Sequence, residues 1–80
     1  MHLNKNIPKK FIWIYVTDIE TILQMKIVAK TLNAERSILQ WSVDTEDIDN
    51  VLRVESKSLG ERHIQQTLEN KGLICTPMID

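Results

Sequence analysis

Cysteine is nearly absent from this chain: of its 80 residues only Cys75 carries a thiol. A lone thiol excludes an internal disulfide framework, so a hydrophobic core has to hold the domain. Glycine and proline are as scarce, two of each. That excludes a flexible or proline-rich linker, and no repeat or low-complexity segment interrupts the chain. The longest apolar run, Phe11–Val16, is far short of the roughly 20 residues that cross a bilayer. No small-residue cleavage site follows it, so the chain reads as cytoplasmic without an export signal or membrane span. A net charge of −1 gives no overall attraction to nucleic acid or anionic lipid.

The hydrophobic fraction of 42% is enough for one core, and a charged fraction of 26% argues against disorder. We therefore expect a flexible segment over 1–10 and one domain over 11–80. Local charge is uneven in two places, with Lys5, Lys9 and Lys10 at the start and Asp44, Glu46, Asp47 and Asp49 in the middle. These read as a basic fringe and a solvated acidic hairpin tip. A calcium loop is excluded, because the central glycine and terminal glutamate of an EF-hand are missing.

Phe11–Thr17 (FIWIYVT) has the β-branched and aromatic composition of a central strand, with Pro8 at its entrance. Asp18 is placed to cap a helix from Ile19 to about Asn33, on which Ile22, Met25, Val28, Ala29 and Leu32 share one face. Leu39, Trp41 and Val43 then alternate with polar residues, as do Leu52 and Val54, which predicts an antiparallel hairpin around Asp44–Asn50. Ser58-Leu59-Gly60-Glu61 matches a capping box, predicting a second helix with Ile64 and Leu68 inward and Gly72 closing it. Leu73–Met78, with Pro77 inside, predicts a short edge strand. The order βαββαβ predicts an α+β, ferredoxin-like sandwich, with both helices on one face of a four-stranded antiparallel sheet.

Within that topology the chain resembles the heavy-metal-associated domain of copper chaperones and metal-transporting ATPases. The resemblance spans about residues 11–78. It rests on the helix following strand one, on Trp41-Ser42-Val43-Asp44, on Leu52-Arg53-Val54-Glu55-Ser56 and on Gln65–Leu73. It implies a metal-binding turn with the motif M-x-C-x-x-C. Ile19 stands at the methionine position, and the cysteine positions fall on Thr21 and Gln24, or on Ile22 and Met25 in the alternative register. Copper(I) and zinc need a thiolate or imidazole at about 2.0–2.3 Å, which none of these side chains supplies. The chain is most similar to members of that family in which the cysteines are absent, and no cofactor is expected.

Three functions from different classes remain. The first is a non-enzymatic module for a protein partner or for self-association. The second is residual copper or zinc handling, with Cys75 joined by Met25, Met78 or a second chain. The third is single-stranded RNA binding. The last depends on Phe11, Trp13 and Tyr15, which share one side of the first strand and are expected to line the open face as an aromatic ladder. A bulge that reverses the strand's parity remains the alternative. His63 reads as solvent-facing. No nucleophile, base and orienting acid converge on one element, and no glycine-rich phosphate loop occurs, so catalysis is not expected.

Overall fold

The computed structural model describes residues 10–79, so the expected flexible segment at 1–10 lies, except for Lys10, outside the described residues. The elements run β1 (Phe11–Thr17), α1 (Ile22–Asn33), β2 (Ile38–Asp44), β3 (Val51–Ser56), α2 (Glu61–Glu69) and β4 (Cys75–Pro77). The four strands form one antiparallel sheet in the order β2-β3-β1-β4. This is the ferredoxin-like sandwich. Gly72 has φ 88, the left-handed conformation that releases the chain from α2 into β4.

The face of β1 is the main departure from the sequence reading. Tyr15 is fully buried, Trp13 packs against the core, and only Phe11 is largely exposed. Ile12, Ile14 and Val16 lie on the open face instead. The strand has no bulge, since Phe11–Tyr15 pair with Ser56–Leu52 in unbroken register. The reason is cross-strand pairing. Trp13 is opposite Val54 and Tyr15 opposite Leu52, and paired residues share a face. Val54 and Leu52 point inward, so the aromatics must as well. Their polar tips also find partners across the interlayer. Trp13 Nε1 donates to the Leu59 carbonyl at 3.0 Å, and the Tyr15 hydroxyl donates to the Glu61 carbonyl at 2.8 Å. Aromatic side chains remove about 150–250 Å² each from water, more than the aliphatic set offers.

A bulge does occur in β2, at Leu39, between the pairs Ile38–Ser56 and Gln40–Glu55. It puts Ile38, Trp41 and Val43 on the helix side and leaves Leu39, expected inward, half exposed. The core joins Tyr15, Leu52 and Val54 of the sheet to Val28 and Leu32 of α1 and Ile64 and Leu68 of α2.

Both predicted helix starts shift. The N-cap of α1 is Thr21, not Asp18, and Ile22, expected inward, is exposed at the first turn. The N-cap of α2 is Gly60, without a side-chain cap bond, and Ser58 instead donates its hydroxyl to Ser37 Oγ at 3.0 Å.

Candidate functional site

The turn after β1 is built around Thr17 and Asp18. The buried Thr17 hydroxyl donates to the Asn50 carbonyl at 2.5 Å and accepts from the Ile19 amide at 3.2 Å. The Thr17 amide donates to the Asp49 carbonyl at 3.0 Å. These bonds tie the β2–β3 hairpin to the end of β1. Asp18 ties in the third segment: its carboxylate accepts from the Ile74 amide at 2.9 Å, and its amide donates to the Ile74 carbonyl at 3.3 Å. Asp18 thus fastens the entry to β4 rather than capping a helix. Three loops meet at this end of the sandwich, above a fully buried Ile19.

Helix α1 begins at this junction with Thr21-Ile22-Leu23-Gln24. The Gln24 amide donates to Thr21 Oγ1 at 3.1 Å, and Gln24 Oε1 accepts from the Thr21 and Glu20 amides at 3.0 and 2.8 Å. This is a reciprocal capping box, which satisfies the donors that a helix start leaves unpaired. The two side chains at the implied ligand positions are thereby engaged with backbone. Between them, Ile22 and Leu23 are 76% and 73% exposed. Ile74 is 61% exposed, and Ile48, in the hairpin tied to Thr17, is 93% exposed. The loop end therefore presents large aliphatic side chains. Glu20, Asp44, Glu46, Asp47 and Asp49, all exposed, make the surroundings acidic, with Lys71 the basic residue of the α2–β4 loop.

Cys75 does not face this surface. It is paired with Thr17, its exposure is 1%, and burial first, then the nearby Glu69 and Asp18 charges, pushes its thiol up to about 12. A thiol in that state is protonated and enclosed, and it is not presented to a second chain. Among the described residues, no three His, Cys, Asp or Glu side chains are grouped so as to hold a metal ion. Neither register of the turn supplies a pair of soft ligands: the first offers a hydroxyl and an amide, and the second an isoleucine beside the single thioether of Met25, which packs against the core.

The open face of the sheet is also different from expectation. Ile12, Ile14 and Val16 form an aliphatic ridge on β1, beside Arg53 and Glu55 of β3. Glu55 accepts from Arg53 at 2.6 Å and from Lys10 at 3.1 Å. The Arg53 hydrogen bond, followed by that of Lys10, holds its carboxyl below the usual range. With Tyr15 enclosed and Trp13 turned to the core, the aromatic stacking platform for single-stranded RNA is not formed. The expected surface Phe11, Trp13 and Tyr15 thus reduces to Phe11, which stacks on Trp13 at 5.7 Å.

A groove of about 560 Å³ is lined by Ile27, Lys30, Thr31, Ala34 and Glu35 together with Thr67 and Lys71. No helix among the described residues is long and apolar enough to cross a membrane.

Against known proteins, no family model matches the chain and no curated protein does. Among solved structures, the apo form of the HMA domain of copper chaperone for superoxide dismutase superposes with a TM-score of 0.76 at 16% identity. The match covers 99% of this chain and 79% of that one. The chain therefore has a heavy-metal-associated-like fold.

Proposed function

We propose that this chain is a non-enzymatic protein-interaction module, a single domain over 11–80 whose metal-binding turn has become an apolar docking tip. One observation carries the reading. Thr21 and Gln24 close a capping box while Ile22 and Leu23, between them, point into solvent. Bulky aliphatic side chains clustered on a surface mark a contact site for another macromolecule. The acidic loops beside them favour a partner surface that is basic around an apolar centre. Residual metal handling is the weaker reading, because the turn lacks thiolate and imidazole and Cys75 is enclosed. The cytoplasm is the compartment that suits such a module.

The test pairs two measurements. Titration with copper(I) or zinc, followed by amide NMR, is expected to produce no stoichiometric shift at residues 19–25. Partners captured from the native cell by the wild-type domain are expected to be lost with Ile22→Ser/Leu23→Ser, whose stability stays within about 1 kcal/mol of wild type because both side chains are exposed. A site-specific metal shift, or partners indifferent to the double variant, refutes the proposal.

A further inference from the structure

The two edges of the sheet are built differently. β4 is three residues long and contains Pro77, both devices that discourage another strand from adding there. β2 has seven residues, Ile38–Asp44, with no proline or lysine, and its outer side bears no strand among the described residues. Its first six residues, ILQWSV, are uncharged and rich in strand formers, the composition of an edge that accepts another strand. The Leu39 bulge disturbs only its beginning. Gln40–Asp44 keep regular register with Glu55–Val51 and present a straight edge.

Charge selects the occupant. The far end of β2 runs into Asp44, Glu46 and Asp47, all exposed. The near end carries exposed Arg36, and the Lys57 amide, donating to the Ser37 carbonyl at 2.7 Å, brings exposed Lys57 beside it. Glu35, next to Arg36 in the chain and half-buried, offsets them in part. We propose that β2 pairs antiparallel with β2 of a second copy about a twofold axis, joining two four-stranded sheets into one of eight strands. Antiparallel pairing sets each acidic end beside the other copy's basic end, twice over. Parallel pairing would set like charges together. A register centred on Ser42 uses the regular stretch: Ser42 faces its own copy, Gln40 faces Asp44, and Trp41 faces Val43. No like charges are directly opposed in that arrangement.

This inference does not rest on the docking tip, and its test separates the two. A strand edge buries less than the ~800 Å² per partner of a stable dimer, so the association is weak and is read from about 10 µM to several hundred µM. Sedimentation velocity is expected to show a concentration-dependent monomer–dimer equilibrium that high salt weakens. Ser42→Lys places two cations on the axis and weakens it about threefold or more, whereas Gln40→Lys, opposite Asp44, strengthens it by a similar factor. Arg36→Glu weakens it, and Arg36→Glu/Glu46→Lys restores it. These side chains are exposed, and amide spectra establish that each variant is folded. Ile22→Ser/Leu23→Ser leaves the dimer unchanged. A wild type that stays monomeric throughout, a dimer indifferent to Ser42→Lys, failure of the charge-swapped pair to recover, or loss of the dimer in the tip variant each overturns the proposal.

Discussion

Replacing Thr17 by Val keeps the side chain's shape and removes the hydroxyl on which the loop end is assembled. That hydroxyl donates to the Asn50 carbonyl at 2.5 Å and accepts from the Ile19 amide at 3.2 Å. Thr17 is 6% exposed, and both partners are buried as well. The substitution therefore orphans an acceptor and a donor where water does not reach them. Each orphan costs about 1–3 kcal/mol, and the longer of the two bonds belongs at the low end, so Thr17→Val should destabilise by about 2–4 kcal/mol. Thr17→Ser is the control. It keeps the hydroxyl and gives up one buried methyl group, worth about 0.8 kcal/mol. A domain of this size is stable by only about 4–12 kcal/mol, so the difference between the variants is large. Urea unfolding followed by tryptophan fluorescence should rank wild type above Thr17→Ser and Thr17→Ser well above Thr17→Val. Thermal unfolding should place Thr17→Val at least about 8 °C below wild type. A Thr17→Val protein as stable as Thr17→Ser would refute the role given to the hydroxyl.

Two further outcomes are expected. Folded protein at pH 8 should leave Cys75 unmodified by a soluble thiol reagent, with labelling governed by unfolding, because the thiol is enclosed and its pKa is pushed up to about 12; rapid stoichiometric labelling of native protein would contradict this. Glu55 titrates below the ordinary carboxylate range in the fold, so its stabilising contribution is present above the unfolded-state pKa and lost as pH falls through the lowered value. Glu55→Gln should flatten that acid limb of the stability profile, and an unchanged limb would mean that the Arg53 and Lys10 contacts contribute nothing.

Much of the fold was legible in the sequence, because periodicity and topology are local properties. The six elements, their order and the sheet edge at Pro77 follow from alternation, helical spacing and punctuation. Gly72 likewise adopts the left-handed conformation expected of it. The helix starts were misread for a physical reason. Asp18 and Ser58 are good caps by residue type, but each hydrogen-bonds elsewhere, Asp18 to Ile74 and Ser58 to Ser37. Thr21-Ile22-Leu23-Gln24 carried the signal for the true start of α1, since threonine followed three residues later by glutamine is itself a capping box.

The face of β1 marks the boundary between the two kinds of information. A strand's alternation states which residues share a face, and FIWIYVT is apolar on both, so its own composition leaves the inward face undetermined. The pairing of Tyr15 with Leu52 and Trp13 with Val54 decides it, and the hydrogen bonds to Leu59 and Glu61 secure it. By itself, the sequence determined a ferredoxin-like sandwich and a turn without thiolate or imidazole, because residue types and short-range spacing suffice for both. Only the tertiary structure decided that Cys75 is enclosed, that the aromatics are core, and that Ile22, Leu23, Ile48 and Ile74 are exposed at one loop end. Burial is a property of what packs over a residue, and residues far apart in the chain supply that cover.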